Sequence, residues 1–266
     1  MRLNKSQRGQ KPLLSIKNLK VSFSLENQTI KALKGISLEV YPKEIVCLVG
    51  ESGSGKSITC YSVLKLLDKN AKVDGKISFK TDNKNIENLL TLSDKKVREI
   101  RGNEISMVFQ EPSAVLNPLL TVGQQLIETV LAHRKVNKDE AKKICLNAME
   151  KAQIPDPERR FYQYPHELSG GLKQRVAIAI AVVNNPYLIL ADEPTTALDV
   201  TVSAKILSLF KKIKKEGKSI LLITHDLGVV AEVADWVYVI KNGEIVEENN
   251  VYEIFEILNT HIRKIA

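Results

Sequence analysis

Short apolar runs recur along the chain, and they predict the strands of an α/β protein. The run at 44–49 is apolar after its first residue and stops at a cluster of Gly and Ser, which is typical of a strand buried on both faces. The strands predicted on this basis are 14–23, 30–40, 44–49, 75–79, 104–109, 187–191, 219–224 and 236–240.

Apolar residues at steps of three and four predict amphipathic helices between these strands. The helices predicted in this way are 56–67, 121–133, 138–153, 169–184, 200–216 and 227–234. Strands and helices alternate towards the end of the chain, which indicates parallel strands joined by helical crossovers.

The domain organisation follows from the same pattern. We expect a disordered or loosely attached N-terminus at 1–13, one α/β domain at 14–260 and a short tail at 261–266. Helical patterns without a convincing strand fill about 112–168, so we interpret this segment as a helical subdomain inserted between two core strands. A polar turn is expected around 26–28, and a polar stretch from 80 to about 94.

Composition excludes several classes of protein. The 266 residues are 44% hydrophobic and 26% charged, as in ordinary globular proteins, which excludes a disordered chain. No apolar run approaches the roughly 18–20 residues of a spanning helix. The basic N-terminus has no apolar segment behind it, so it is not a secretory signal. We therefore expect a chain that is not itself inserted in a membrane.

Charge and cysteines add weaker constraints. Lys and Arg number 39 against 31 Asp and Glu, a net charge of +8, but the excess is dispersed and aromatics are only 5%. A solvated surface near an anionic membrane is favoured over a nucleic-acid partner. Cys47, Cys60 and Cys145 are widely spaced, so we expect buried thiols in a reducing cytosol, with neither an iron–sulfur cluster nor zinc.

The strongest local signal is a phosphate-binding loop between the strand at 44–49 and the following helix. It fits the pattern G-x-x-x-x-G-K-[ST] and consists of Gly50, Glu51, Ser52, Gly53, Ser54, Gly55, Lys56 and Ser57. Backbone N–H groups of such a loop surround a phosphate, Lys56 is expected on the β- and γ-phosphates, and Ser57 on Mg²⁺. A Gly/Ser turn with a chance lysine is the alternative, and it rarely occurs in this context.

Two acids end the apolar run at 187–191. Carboxylates at the end of a buried strand are costly unless a cation balances them, and nucleotide-bound Mg²⁺ would do so. Asp192 is therefore predicted to hold the metal, and Glu193 to act on the attacking water as general base or as its orienter. Acids that merely begin a loop are the alternative.

Other candidates follow neighbouring strands, whose carboxyl ends are expected at one edge of the sheet. Gln110 is a candidate ligand of Mg²⁺ or of the water, and His225 a candidate contact of the γ-phosphate, although a lone His after a strand is usually structural. Phe23 is a candidate to stack on a nucleotide base, but taken alone an aromatic there is more often part of the core.

A second anion site is predicted where the helix at 169–184 begins. Its sequence is Leu168-Ser169-Gly170-Gly171. Ser169 is a good N-cap residue, but two glycines in a first helical turn weaken a helix. Their predicted use is a close approach of backbone N–H groups to an anion; a capped helix start is the alternative.

In this order, these motifs resemble the nucleotide-binding subunit of an ABC transporter, from about residue 14 to 257. Residues 50–57 match the Walker A motif, Gln110 the Q-loop, 168–171 the signature, and Asp192 with Glu193 the end of the Walker B strand. Asp199 matches the D-loop, and His225 the switch histidine. The resemblance implies a P-loop ATPase core with N-terminal antiparallel strands and a helical insert. It also implies a dimer in which the signature of one subunit covers the ATP on the P-loop of the other.

Longer segments resemble the oligopeptide, dipeptide and nickel importers of this family. They are 110–113 with 117–118, 164–167, 191–201 and 225–230. This implies a second ATPase subunit, usually a different chain although a homodimer is possible, and two membrane permeases. An extracellular solute-binding protein would act indirectly, and the subunit would lie peripherally on the cytoplasmic face of the cell membrane.

One departure concerns the C-terminus. Peptide-type subunits commonly continue with a cysteine-bearing extension, whereas this sequence has no cysteine after Cys145, which leans towards the shorter nickel-type subunits. A soluble ABC-type ATPase acting on ribosomes or DNA, and an export or lipoprotein-release cassette, are the remaining alternatives.

Overall fold

The computed structural model describes residues 10–25 and 28–256. The first nine residues of the predicted N-terminal segment, the predicted turn at 26–27 and the predicted tail at 261–266 lie outside the described residues. The division into a domain and a helical subdomain stays a prediction.

The described residues form two β-sheets. The smaller sheet is antiparallel, with the order β2-β1-β4-β5, and the larger has the order β10-β9-β3-β8-β7-β6. Strands β9, β3, β8, β7 and β6 run parallel, and β10 is antiparallel at one edge. The strands are β1 (Leu14–Leu25), β2 (Gln28–Val40), β3 (Ile45–Val49), β4 (Ala71–Lys80), β5 (Asn85–Ile86), β6 (Ile105–Val108), β7 (Leu188–Asp192), β8 (Ser219–Thr224), β9 (Trp236–Lys241) and β10 (Glu244–Asn250).

Helices connect the parallel strands, as the alternating pattern predicts. They are α1 (Lys56–Val63), α2 (Asp94–Ile100), α3 (Pro112–Val115), α4 (Val122–Leu131), α5 (Lys138–Lys151), α6 (Pro157–Phe161), α7 (Gly170–Val182), α8 (Val200–Lys215) and α9 (Leu227–Val233). Residues 251–256 are also helical. Among the described residues, no helix combines the length and apolarity needed to cross a bilayer. The predicted α/β class with N-terminal antiparallel strands is confirmed.

The pattern of hydrophobic residues does not predict several elements of the structure. β10 is an edge strand without a fully buried residue, so its sequence EIVEENN lacks the apolar signal of the inner strands. α2 buries only Val97 and Ile100. The stretch expected to be merely polar also contains β5 and a 3-10 turn at Leu89–Thr91.

The larger sheet is buried on both faces. Successive side chains of a strand point to opposite faces, so each inner strand contributes to two cores. In β3, Ile45, Cys47 and Val49 pack into a core with the helices on one side. Val46 and Leu48 pack on the other side into a core shared with the antiparallel sheet. This explains the uninterrupted apolar run at 45–49.

The helices α3 to α7 follow β6 in the chain and precede β7. α4 and α5 begin with capping boxes, Thr121 with Gln124 and Asn137 with Glu140, in which each side chain accepts from the other residue's backbone N–H. Both helices pack against α7, and α7 also contacts β6. The helical layer is thereby attached to the strand that leads to Gln110.

The strand order brings the candidate residues to one edge. β8 lies between β3 and β7, and β6 lies beyond β7. These strands are parallel, so the loops after β3, β8, β7 and β6 leave from the same edge of the sheet.

Candidate active site

The loop after β3 enters α1 through left-handed backbone. Gly55 is the N-cap of α1 with φ +107°. A Cβ at this position would lie 2.5 Å from Leu33 Cδ2, so both its conformation and its close approach to β2 require glycine. Glycine here sets the backbone that presents the N-terminus of α1 to a ligand.

Lys56 is held inside this loop rather than in solvent. The residue is 5% exposed, and its Nζ donates hydrogen bonds to the carbonyls of Gly50 at 2.8 Å and Glu51 at 2.9 Å. The same ammonium lies 3.7 Å from Oε1 of Glu193. A buried cation therefore stands between the loop and the acid that ends β7.

Asp192 is buried directly beneath the start of α1. It is 1% exposed, and its Oδ1 accepts a hydrogen bond of 2.9 Å from Ser57 Oγ. Burial raises the pKa of Asp192, with only partial compensation by Ser57 and Lys56. Its other oxygen, Oδ2, is buried and has no hydrogen-bond partner among the described residues. A hydroxyl beside an incompletely satisfied carboxylate fits a hard divalent cation such as Mg²⁺.

Glu193 is the centre of a hydrogen-bond cluster. Its backbone is left-handed with φ +44°, which is uncommon for a residue with a side chain and is often found at functional sites. Its Oε2 lies 3.1 Å from Nδ1 of His225, and accepts from Thr196 Oγ1 at 3.0 Å and Gln110 Nε2 at 3.4 Å.

These contacts affect the pKa of the Glu193 carboxyl. Burial raises the pKa of its carboxyl, but hydrogen bonds from His225 and Thr196, together with the charges of His225 and Lys56, bring that pKa below its ordinary value. Glu193 is consequently ionised at neutral pH, as a general base must be.

A cavity of about 770 Å³ joins most of the predicted residues. Its lining includes Gly50, Glu51, Ser52, Gly53, Gly55, Lys56, Ser57, Gln110, Glu193 and His225. Asp192 lies just below this lining and reaches it through Ser57. Residues from four separate loops thus share one cavity, large enough for a nucleotide-sized ligand.

Two residues predicted to bind nucleotide lie elsewhere. Ser54 is 5% exposed, and its Oγ is buried rather than lining the cavity, with no hydrogen-bond partner in the part of the chain that the structure describes. Phe23 lies on β1, opposite Ile30 and Ala71, and packs against the core shared by the two sheets. Their contact with a nucleotide stays a prediction.

The signature lies outside the lining of this cavity. Leu168 is buried in the helical core, whereas Ser169 and Gly170 are exposed. Ser169 caps α7 by accepting a hydrogen bond from Leu172 N at 3.4 Å. Gly171 has a packing role that the sequence did not reveal: a Cβ there would lie 2.7 Å from Cγ1 of Val202 in α8.

Asp199 begins the helix that packs on Gly171. Its Oδ1 accepts a hydrogen bond of 2.8 Å from Val202 N, so it is the N-cap of α8. The D-loop residue Asp199 and the signature residue Gly171 therefore both contact Val202 of α8. Asp199 and the exposed signature residues lie outside the lining of the cavity around Lys56.

Sequence reasoning missed Thr196 and Tyr61 as site residues. Thr196 donates to Glu193, and its signal is its place three residues after that acid. Tyr61 lies one helical turn after Ser57, and it lowers the pKa of Asp192 against the raising effect of burial. Its signal is the spacing of four residues on one helix.

Comparison with known proteins places the chain in a family. The ABC transporter family profile matches residues 33–196. The chain is 50% identical over 246 residues to the dipeptide transport ATP-binding protein DppD of Bacillus subtilis, covering 91% of this chain and 72% of that protein. It is 46% identical to the oligopeptide transport ATP-binding protein OppD of the same organism, covering 91% of this chain and 67% of that protein.

Solved structures give the same assignment. The dimeric structure of the bacterial ABC transporter cassette MJ0796 matches with a TM-score of 0.78 and 32% identity, covering 90% of this chain and 98% of that one. CbiO1 from Clostridium perfringens, part of the ABC transporter complex cbiONQ, matches with a TM-score of 0.77 and 31% identity, covering 96% and 95%. The chain belongs to the ABC transporter family and is one of its ATPases.

Proposed function

We propose that this chain is the ATP-hydrolysing subunit of a peptide importer. The observation that carries the proposal is 50% identity to a dipeptide transport ATP-binding protein over 91% of the chain. The clustered Lys56, Asp192, Glu193 and His225 support it, because an ATPase needs these groups together. Nickel as the solute stays a prediction from the sequence, and the peptide-transport relatives favour peptides.

ATP is the substrate of the cavity around Lys56. The backbone of the loop at 50–55 and the N-terminus of α1 bind the phosphates, and Lys56 neutralises the β- and γ-phosphates. Lys56 exchanges its loop carbonyl partners for phosphate oxygens, which are stronger acceptors for an ammonium.

Mg²⁺ bound with ATP would be held by Ser57, Asp192 and Gln110. It would supply positive charge that balances the triphosphate. The buried, incompletely satisfied carboxylate of Asp192 is the feature that fits it best. Gln110 is expected to link this site to the helices α3 to α7, because it follows β6 and precedes α3.

Glu193 orients the attacking water and accepts its proton. The carboxylate is already ionised and held by Thr196, so it acts as the base without rearrangement. His225, 58% exposed at its side chain, bridges Glu193 and the γ-phosphate position. In this arrangement Glu193 is the base and His225 is the residue that orients it.

A second ATPase subunit completes the site. We expect Leu168, Ser169, Gly170 and Gly171 to cover the ATP of the partner, because Ser169 and Gly170 are exposed and lie outside this chain's own cavity. Asp199 is expected at the same interface. Two permeases would form the pathway across the cell membrane, with this chain bound peripherally at the cytoplasmic face. An extracellular binding protein would deliver the solute.

Uptake by cells tests this function. In a strain lacking the gene, we expect the wild-type chain to restore uptake of a radiolabelled dipeptide or oligopeptide, and Glu193→Gln to fail at equal expression. Radiolabelled Ni²⁺ uptake is measured in parallel. If the wild-type chain restored Ni²⁺ uptake but not peptide uptake, peptides would be excluded as the solute. If the deletion strain took up both solutes as well as its parent strain does, the import function would be contradicted.

A further inference from the structure

The antiparallel sheet has one face in the core and one face in solvent. Along β1, Leu19 and Val21 are buried, whereas Lys17 and Lys20 are exposed. Residues directly opposite each other on neighbouring strands lie on the same face of a sheet, so the register shows which residues of β2 and β4 share this outer face. Six exposed lysines lie on it, and together they are called the lysine face: Lys17, Lys20, Lys31, Lys34, Lys72 and Lys76.

Like charges lie directly opposite each other on the lysine face. Lys20 of β1 is opposite Lys34 of β2, and Lys17 of β1 is opposite Lys76 of β4. The Cβ atoms of such cross-strand pairs are typically about 5 Å apart, and like charges at these positions destabilise a sheet. The stability of the sheet therefore does not explain why lysines occupy them.

The neighbouring positions of the same face add little negative charge. Ser22 of β1 has Lys31 opposite it on one side and Lys72 on the other. Asp74 lies opposite Lys20, and it is the one acid in these three rows of described residues. The positive charge that is dispersed along the sequence is thus partly gathered on one surface by the strand register.

The lysines of this face are largely without acidic partners. In the part of the chain that the structure describes, five of the six form no ion pair, and the exception is Lys76, whose Nζ lies 3.2 Å from Oε2 of Glu87. Unpaired ammonium groups in solvent are available to an external anionic surface.

The residue types favour lipid headgroups over nucleic acid as that surface. The rows contain lysine, serine and aspartate, with no aromatic side chain on which a base could stack and no arginine for bidentate contacts. Clusters of roughly four to eight basic residues beside a membrane are typical of attraction to anionic lipids.

We propose that the lysine face is a docking surface for anionic lipid headgroups. The choice of a membrane rests on the proposed function, but the surface is separate from the ATPase site, because none of the six lysines lines the cavity around Lys56. A lysine close to an anionic membrane contributes about fivefold to binding, so two lysines contribute about 30-fold.

Binding of the purified full chain to vesicles tests the proposal. Flotation is compared between vesicles of phosphatidylcholine and vesicles of equal parts phosphatidylcholine and phosphatidylglycerol. We expect binding to the mixed vesicles only, and release as the salt concentration rises, because salt screens exposed charges.

The double substitution Lys20→Gln with Lys34→Gln removes the central like-charge pair. We expect its partitioning to the mixed vesicles to fall about 30-fold. The control is Lys138→Gln with Lys143→Gln on α5, which removes the same charge from two exposed lysines of the helical layer. Partitioning of the control should change less than about 2-fold, because screening limits the effect of distant charges.

Asp74→Asn gives a change in the opposite direction, which a damaged protein cannot produce. The amide keeps the oxygen that accepts from Gly75 N at 2.9 Å but removes the acid of the face. We expect partitioning to rise about fivefold, while ATP hydrolysis in solution stays unchanged in all three variants.

Several results would overturn the proposal. They are equal binding to both kinds of vesicle, a Lys20→Gln with Lys34→Gln variant that binds like wild type, and an Asp74→Asn variant that binds no better. Tighter binding of polyuridylate than of mixed vesicles, lost in the same double variant, would assign the face to nucleic acid instead. Failure of the wild-type chain to hydrolyse ATP would contradict the proposed function and leave the vesicle result intact.

Discussion

Replacing Glu193 by Gln separates nucleotide binding from hydrolysis. The amide keeps the size of the side chain and can still accept from Thr196, but it cannot accept a proton from water. Loss of a general base typically costs 10²–10⁴-fold, so we expect the turnover number to fall by about 10²-fold or more, equivalent to about 2.7 kcal/mol at the lower limit.

ATP binding should survive this change. Oε1 of Glu193 lies 3.7 Å from Nζ of Lys56, so the substitution removes a negative charge that competes with phosphate for this ammonium. We therefore expect equal or tighter ATP affinity and a dimer that stays closed with ATP bound. This combination distinguishes a lost base from a damaged site, in which affinity and turnover would fall together.

Single-turnover hydrolysis of radiolabelled ATP and equilibrium binding of the nucleotide check both parts. Glu232→Gln is the matched control, because Glu232 pairs with Lys211 on the surface at 3.1 Å and should leave both quantities unchanged. Turnover of Glu193→Gln within a few-fold of wild type would refute the assignment of the base and make His225 the next candidate.

Two further substitutions and two measurements test other parts of the molecule. Lys56→Ala should abolish tight binding of MgATP, because the loop loses its buried cation; unchanged affinity in a nucleotide titration would refute the P-loop assignment. Ser169→Arg should leave ATP binding by the monomer intact but prevent ATP-dependent association, measured by light scattering; loss of binding by the isolated subunit would mean that the signature acts within one chain. Elemental analysis should find neither iron nor zinc, because burial raises the pKa of all three cysteines, to about 11 for Cys145, and keeps the thiols protonated. Calorimetry of the ATP-free chain with Ni²⁺ should find no site of micromolar affinity, and a tight site would show that this chain binds the metal directly.

The parts of the fold that the sequence predicts are those with strong periodicity. β3, β7 and β8 are buried on both faces and therefore apolar throughout, and α4, α5 and α8 have regular apolar faces. β10 could not be found in this way, because the edge of a sheet leaves alternate side chains exposed. Its pairing with β9 depends on tertiary contact rather than on its own pattern.

Some residues of the candidate site could likewise be predicted from the sequence, and others could not. Lys56, Asp192, Glu193 and His225 could be predicted, because each follows a strand whose end meets the same sheet edge. Tyr61 could not, because its effect on the pKa of Asp192 depends on how closely α1 packs on β7.

Burial also explains the residues whose place differs from expectation. The pattern of the P-loop does not distinguish side chains that line its cavity from Ser54, which is packed behind the loop. Phe23 lies in the antiparallel sheet, where β1 pairs with both β2 and β4, and it packs against the core between the two sheets. An isolated aromatic in a sequence carries no information about which of two surfaces it faces.

The central claim is that ATP hydrolysis by this chain energises peptide import. The most direct measurement is ATP hydrolysis by the complete transporter reconstituted in lipid vesicles, with its binding protein added empty, loaded with peptide or loaded with Ni²⁺. We predict that only the peptide-loaded protein stimulates hydrolysis, and that Glu193→Gln in this chain removes the stimulation. Hydrolysis that does not respond to peptide, or that responds to Ni²⁺ instead, would contradict the claim.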